Sequence, residues 1–364
     1  MSLKIAVDAM GGDYAPRAVV EGVLAAAAED GASILLVGPQ DVVQTELAKH
    51  GGDRTGRIEV VHADEVVTMD DPATAPLRKK RRSSIRVACE LVEQGRAAAV
   101  VTAGHTGAAM VAAMKVLGTI PGVDRPALAA VLPNMSGRTV LLDVGANVAT
   151  KPLHLRQFAV MGHLYAQQVL GVASPRVGLM SVGEEEGKGT DFTRQVFEVL
   201  KESGLNFVGN VEGRDVFAGT VDVIVCDGFV GNAVLKTAES LASMVGKMLE
   251  QQLRSSLRTK LGAALAMPAI REMRRRTDAN QYGAAPLLGV QGGCFIGHGR
   301  STPEGIRNSV RRAVEFCNHE VLEKIRTQMD LMRQQEELML GSSERSEPPG
   351  VQAGAPGGAA GGEQ

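Results

Sequence analysis

Short apolar runs alternate with longer amphipathic stretches along most of the chain. The runs at residues 3–7, 33–37, 58–62, 98–103, 127–132, 139–143, 176–182, 206–208, 222–226 and 292–296 read as strands. Several, such as Val223-Ile224-Val225-Cys226, are unbroken rather than alternating, which marks a strand covered on both faces, as in a parallel sheet. Helical periodicity fills the gaps, and Pro16, Ser83 or Ser84, Pro152 and Ser301 or Thr302 stand where helices would start. This βαβ rhythm predicts an α/β fold with a mostly parallel sheet. A long helix is predicted over about 236–267, Pro268 then turns the chain into a second piece at 269–276, and a last helix covers 303–340. Residues 1–340 thus read as a single α/β domain with a helical hairpin inserted at about 236–282. Residues 341–364, rich in Gly, Ala, Ser, Pro and Glu, read as a disordered tail.

Composition narrows the function classes. A chain of 364 residues can bury a large core, and with 3% aromatic residues and no Trp it packs with Ala, Val, Leu and Gly. It lacks stacking platforms for single strands, and a net charge of −2 argues against a general nucleic-acid binder. Basic residues nevertheless cluster at 78–82 and 271–276. Cys89, Cys226, Cys294 and Cys317 show no metal-ligand or redox spacing, so reduced thiols in a cytosolic protein are expected, with no metal site. The chain enters its first strand directly from Met1, and the apolar stretch 97–118 is interrupted by polar residues. Neither a signal peptide nor a membrane span is expected.

Candidate chemistry lies where strands end. Asp8, Gly11 and Gly12 follow the first strand; Gly104, His105, Thr106 and Gly107 sit between a strand and a helix start; Asp143 and Asn147 close another strand in DVGAN. Lys188 stands between two glycines in GEEEGKGTD, and Asp227, Gly228, Asn232 and Lys236 open the long helix. Each could be an ordinary turn with an Asp or Ser cap and a Gly for the bend. Each could also be an anion cradle, because glycine lets a ligand approach the backbone and a helix start offers free N–H groups. In open α/β sheets ligands bind outside the carboxyl ends of strands, so the signals are expected to converge on one cleft. The basic run before Ser84 reads mainly as a solvated face from which one or two residues can reach phosphate.

The predicted hairpin carries Leu253, Leu257 and Leu261 at fourfold spacing, followed by Arg271, Arg274 and Arg275. Two readings stand side by side: a helical pair packing on a sister subunit, and a basic amphipathic element that rests on a membrane or receives an acidic protein.

Taken together, DAMGGD, RKKRRSS, TAGHTGA, LLDVGAN, VGEEEGKG, GNVEGRD, VCDGFVGNAVLK, YGAAPLLG and GHGRS, in this order over about residues 3–330, resemble the bacterial phosphate acyltransferase family, the acyl-carrier-protein:phosphate acyltransferases known as PlsX. The chain carries His105 where that family commonly has Asn, and lacks its Ser-like residue near Arg300. The resemblance implies a three-layer α/β/α sandwich similar to phosphotransacetylases and isopropylmalate dehydrogenases, usually a homodimer. It implies transfer of a long-chain acyl group from acyl carrier protein to inorganic phosphate without a cofactor. The acyl phosphate would feed phospholipid synthesis through a membrane glycerol-3-phosphate acyltransferase, at the cytoplasmic face of the cell membrane. On that chemistry Lys188 and Lys236 act as electrostatic contacts, Asn232 and Thr106 as donors, and Asp143 and Asp227 as orienting groups. An acyl-enzyme on Cys226 is the rival mechanism, for which no base is identifiable. Rival functions are a phosphotransacetylase using coenzyme A thioesters, a nicotinamide-dependent dehydrogenase, for which no strand–GxGxxG–helix element stands out, and an inactive membrane-peripheral scaffold.

Overall fold

The computed structural model of the chain describes residues 3–344. Its strands are β1 (Lys4–Asp8), β2 (Ser33–Gly38), β3 (Ile58–His62), β4 (Ala99–Thr102), β5 (Ala127–Pro133), β6 (Arg138–Leu142), β7 (Val177–Met180), β8 (Phe207–Val211), β9 (Val223–Val225), β10 (Ala285–Leu288) and β11 (Gly293–Ile296). The helices α1 (Arg17–Glu29), α2 (Gln40–Lys49), α3 (Ala75–Arg78), α4 (Ser84–Glu93), α5 (Thr106–Val116), α6 (Pro152–Val169) and α7 (Asp191–Lys201) lie between them in the first half. Then come α8 (Asp215–Ala218), α9 (Gly228–Arg254), α10 (Leu257–Thr277), α11 (Ala279–Tyr282), α12 (Pro303–Asn318) and α13 (Val321–Glu344).

All the strands join one sheet in the order β3-β2-β1-β4-β11-β10-β5-β6-β9-β7-β8. Side chains alternate across it: Ile5 and Val7, Ile34 and Leu36, and Val223 and Val225 join one apolar cluster, while Ala6, Leu35 and Ile224 join the other. Phe158 of α6 and Phe316 of α12 complete the first cluster; Ile85 of α4 and Ala112 of α5 complete the second. Burial on both faces is why these strands are apolar at successive positions, and it yields the expected three-layer α/β/α architecture.

Strand direction matters more for function. The block β3, β2, β1, β4, β11 is parallel, and so is the block β6, β9, β7, β8. Between them β11/β10, β10/β5 and β5/β6 pair antiparallel. An odd number of reversals leaves the two blocks pointing opposite ways.

Local departures from the expected elements have identifiable causes. The long helix stops at Arg254, because Ser256 caps a new one: its hydroxyl accepts from Thr259 N at 3.2 Å while Thr259 Oγ1 accepts from Ser256 N at 3.0 Å. Pro268 lies inside α10 and does not end it; the helix is largely exposed, so water can satisfy the carbonyl that loses its partner. The last helix breaks between α12 and α13, where Glu320 takes a left-handed φ of 54°. Residues 341–344 of the expected tail belong to α13, and 345–364 lie outside the described residues.

Candidate active site

Three strand ends of the first block interlock. The Asp8 carboxylate, 4% exposed, accepts from Thr102 Oγ1 at 2.8 Å and Met10 N at 3.1 Å, and the Ser84 hydroxyl also bonds it. Burial pushes its pKa up against these donors, with burial the larger effect. Gly11 packs so closely that a Cβ there would lie 2.7 Å from Thr102 Oγ1 and 2.8 Å from Gly104 N. Asp13 N donates to Gly299 O and Gly297 N to Thr102 O, both at 2.7 Å, tying the loops after β1, β4 and β11 together.

At the centre of this group α5 begins. His105 is its N-cap, with Nδ1 accepting from Ala108 N at 3.2 Å. The imidazole performs the task Asn or Ser usually performs, so its proton sits on Nε2. The N–H groups of Thr106 and Gly107 have no acceptor among the described residues, and Thr106 is exposed. This is an open helix N-terminus next to two glycine turns, and an anion is electrostatically favoured there. In the preceding basic run Lys80 pairs with Asp71, Arg82 with Asp64, and Arg81 Nε donates to Leu77 O. Arg78 and Lys79 are exposed, without a carboxylate partner among the described residues, on or just after α3, which packs on α5. Sequence reasoning had not singled out Thr102. Its hydroxyl sits at the end of an apolar strand, and only its pairing with Asp8 distinguishes it.

The second block gathers Asp143, Asn147, Asp227, Gly228 and Asn232. The buried Asp143 carboxylate accepts five N–H bonds: Leu128 N, Gly145 N and Ala146 N on Oδ1, and Asn147 N and Nδ2 on Oδ2, at 2.6–3.2 Å. Burial raises its pKa and these donors lower it, with burial the larger effect. At the start of α9, Gly228 N donates to Asn147 O at 2.7 Å, and Asp227 Oδ1 accepts from Phe229 N and Val230 N at 2.9 Å. The anion cradle expected at 228–232 therefore has its first helix donors already satisfied. Its glycines serve close packing: a Cβ on Gly228 would lie 2.7 Å from Asn147 O, and one on Gly231 would strike the Asp143 carbonyl oxygen. Asn232 is exposed beside Gly145, and Lys236, about one turn along, pairs with Glu239 at 2.9 Å.

Cys226 is buried against the Asp143 carbonyl. Burial, and after it the charges of Asp227 and Asp143, push its pKa well above the usual thiol range. It stays a thiol, which disfavours an acyl-enzyme at this position.

Lys188 is exposed in the loop after β7, with no carboxylate partner among the described residues. Its neighbours brace that loop: Glu184 pairs with Arg214 at 2.5 Å, Glu186 with Lys201 at 3.2 Å, and Asn210 Nδ2 donates to Glu185 O at 2.9 Å.

The expected convergence on one cleft needs correction. Asp8, Gly11, Gly12, Ser84, Gly104, His105, Thr106 and Gly107 come together at one end of the sheet. Asp143, Asn147, Asp227, Gly228 and Asn232, with Lys188 in the loop after the nearby strand β7, follow strands that run in the opposite direction. No hydrogen bond links the two groups among the described residues. The reason is the run of three antiparallel pairings, which no individual motif reveals.

Residues 3–324 match the protein family described as "Fatty acid synthesis protein". The chain is 49% identical over 328 residues to a protein of Pelotomaculum thermopropionicum named phosphate acyltransferase, covering 90% of this chain and 95% of that one. It is 50% identical over 341 residues to the phosphate acyltransferase of Geotalea uraniireducens, covering 93% and 98%. The chain belongs to the phosphate acyltransferase family. It is an acyltransferase. A phosphotransacetylase from Streptococcus pyogenes matches with a TM-score of 0.61 at 16% identity, over 86% of this chain and 94% of that one. EutD phosphotransacetylase from Staphylococcus aureus matches with a TM-score of 0.56 over the same shares, also at 16% identity. At that identity the likeness shows a common fold.

In this acyltransferase α9 and α10 form the hairpin and pack on each other, and few of their residues are buried. Leu257 and Leu261 are 85% and 69% exposed, while Leu253 is half-buried. Arg275 bonds Glu272 at 2.9 Å and Arg274 lies 3.7 Å from Glu250. On α9, Leu241, Met244, Val245 and Met248 form an exposed stripe at helical spacing. No helix among the described residues is long and apolar enough to cross a membrane.

Proposed function

We propose that the protein transfers a long-chain acyl group from the thioester of acyl carrier protein to inorganic phosphate, releasing an acyl phosphate for phospholipid synthesis. The observation that carries this reading is the open start of α5, whose Thr106 and Gly107 N–H groups have no acceptor among the described residues, just after Gly104, against which Gly11 packs. Supporting it are the names of the relatives, which join an acyl group to phosphate, and the family description, which points to fatty acyl groups.

Phosphate is held by the α5 N–H groups, with Arg78 and Lys79 adding positive potential. A phosphate oxygen attacks the thioester carbonyl carbon and a C–O bond forms. The tetrahedral intermediate then collapses, the C–S bond breaks and the carrier's thiolate leaves. A thiolate is a good leaving group near neutral pH, so donors that stabilise developing negative charge matter more than a strong general acid. The buried Asp8–Thr102–Ser84 cluster acts by positioning, since it braces the turns that carry the N–H groups. In this reading Lys188, Asn232 and Lys236, at the other end of the sheet, take no part in the reaction.

The deciding experiment supplies purified protein with a palmitoyl thioester of acyl carrier protein or of coenzyme A, with and without phosphate. Acyl phosphate is trapped as a hydroxamate. Phosphate-dependent product from the carrier-protein thioester is expected; product from the coenzyme A thioester alone would make the enzyme a phosphotransacetylase instead. The homodimer of this reading forms through the α9 stripe, and the hairpin tip meets an anionic membrane where a glycerol-3-phosphate acyltransferase takes the product. Charged residues in place of Leu257 and Leu261 then weaken binding to anionic liposomes, and unchanged binding counts against the membrane role.

A further inference from the structure

Between the last turns of α9 and the facing side of α10 lies a groove of about 350 Å³. Its floor is apolar: Leu253, Met267 and Ile270 are half-buried along it and Ala263 is buried. Its rim is basic. Arg254, Lys260, Arg271 and Arg274 line it against a single carboxylate, Glu250, which bonds Arg254 at 2.7 Å and lies 3.7 Å from Arg274. Lys260 and Arg271 have no carboxylate partner among the described residues.

This groove is distinct from the exposed leucine stripe. At about 100° per residue, Lys260, Ala264, Met267 and Arg271 share one face of α10, while Leu257, Leu261 and Leu265 centre about a quarter of a turn away. On α9 the exposed stripe of Leu241, Met244 and Met248 lies on the side opposite Glu250 and Leu253. The hairpin therefore has an inner surface, apolar below and cationic above, besides its two outer ones.

We propose that the inner groove binds one long-chain phosphate amphiphile, its alkyl chain along Leu253, Met267 and Ile270 and its phosphate on Lys260 and Arg271. The volume lies within the range of small-molecule sites, and a few polar groups over an apolar floor is their usual composition. Charge complementarity selects the occupant: an excess of cations at the rim calls for an anionic head, and the apolar floor calls for an alkyl chain. The choice of an acyl phosphate as the natural ligand rests on the proposed reaction, whose product has this shape. The groove would hold the product after it leaves the reacting centre and shield its chain from water.

Dodecyl phosphate, a stable stand-in, is titrated into the full-length protein below its micelle concentration and followed by calorimetry, alongside octyl phosphate, dodecyl maltoside and inorganic phosphate. Binding is expected to strengthen by roughly fourfold per added methylene from octyl to dodecyl phosphate, as burial of a methylene requires. The neutral detergent and inorganic phosphate should bind at least tenfold more weakly. Ala264→Trp, which fills the groove from an exposed position, and Arg271→Glu, which reverses a rim charge, should each weaken dodecyl phosphate at least tenfold. Both variants keep the wild-type circular dichroism, while Leu257→Ser leaves this binding unchanged.

Equal binding of dodecyl maltoside, or wild-type affinity in both groove variants, overturns the inference. So does a change of oligomeric state in Ala264→Trp with dodecyl phosphate affinity intact, because the groove would then belong to a contact between copies. Turnover of the thioester is assayed separately. Groove binding without turnover would sink the proposed reaction and leave the groove standing; turnover without groove binding would do the reverse.

Discussion

Asp143 is the residue whose removal the geometry judges most severely. Its carboxylate is the common acceptor for the first residues of β5, the turn after β6 and Asn147, whose carbonyl in turn holds Gly228 of α9. In Asp143→Ala the donors on partly exposed Gly145 and Ala146 can turn to water, but Leu128 N and Asn147 N are buried without an alternative, and Asn147 Nδ2 is left with Pro126 O alone. At about 1–3 kcal/mol for each orphaned buried donor, offset in part by no longer burying a charge, the expected loss is about 3–5 kcal/mol. Asp143→Asn keeps an oxygen for the three Oδ1 bonds but sets an NH2 group against the two donors on Oδ2. That variant should lose about 2–4 kcal/mol and rank between alanine and wild type. Urea unfolding with an unchanged slope measures both values, and thioester turnover per folded molecule should fall less than tenfold in Asp143→Asn. A loss under about 1 kcal/mol in Asp143→Ala would refute the reasoning. Full stability with turnover at background would refute it differently, by making Asp143 a reacting group.

Gly231→Ala drives a methyl into the Asp143 carbonyl, a backbone atom with no rotamer to relieve the clash, so a loss of about 1–3 kcal/mol or more is expected from urea midpoints; a neutral outcome would mean that α9 is free to shift. His105→Asn keeps the cap on α5 and should unfold within about 0.5 kcal/mol of wild type, whereas His105→Ala should lose about 1 kcal/mol; equal losses would show that the imidazole is not a cap. Asp222 predicts a pH dependence. Burial pushes its carboxyl up, but the side chain of Arg176, bonding both oxygens at 2.9 and 3.0 Å, and the Arg176 N–H pull it further down, to a net value below 3.8. Its stabilisation is complete above 3.8 and fades as pH falls through the lower folded value, so the gap between wild type and Asp222→Asn should close in acid. A gap that stays constant from about pH 6 to about pH 2 removes the ion pair from the account.

Much of the local structure was legible because local physics decides it. Unbroken apolar runs at β1, β2 and β4 are too short for buried helices and read as strands covered on both faces, and Pro152 opening α6 and Thr302 capping α12 mark helix starts. The glycine turns at Gly11–Gly12 and Gly104–Gly107 were also visible, and close backbone approach is what they provide. The break at Ser255–Ser256 was missed because two serines in an otherwise helical pattern are weak evidence; only the reciprocal cap with Thr259 makes them an end.

By itself, then, the sequence determined every strand except β10, most of the longer helices, the layered α/β class, the family and the candidate residue types, all of which depend on neighbours a few positions away. Tertiary structure alone decided which candidates share a site and which donors stay free. Three successive antiparallel pairings, two of them involving a four-residue strand with no distinctive pattern, turn the second block around. Asp227 and Asn147 consume the first N–H groups of α9, while nothing among the described residues consumes those at Thr106 and Gly107. Two helix starts with similar glycine spacing thus differ in what they can bind, because hydrogen-bond satisfaction is a property of the surroundings and not of the motif.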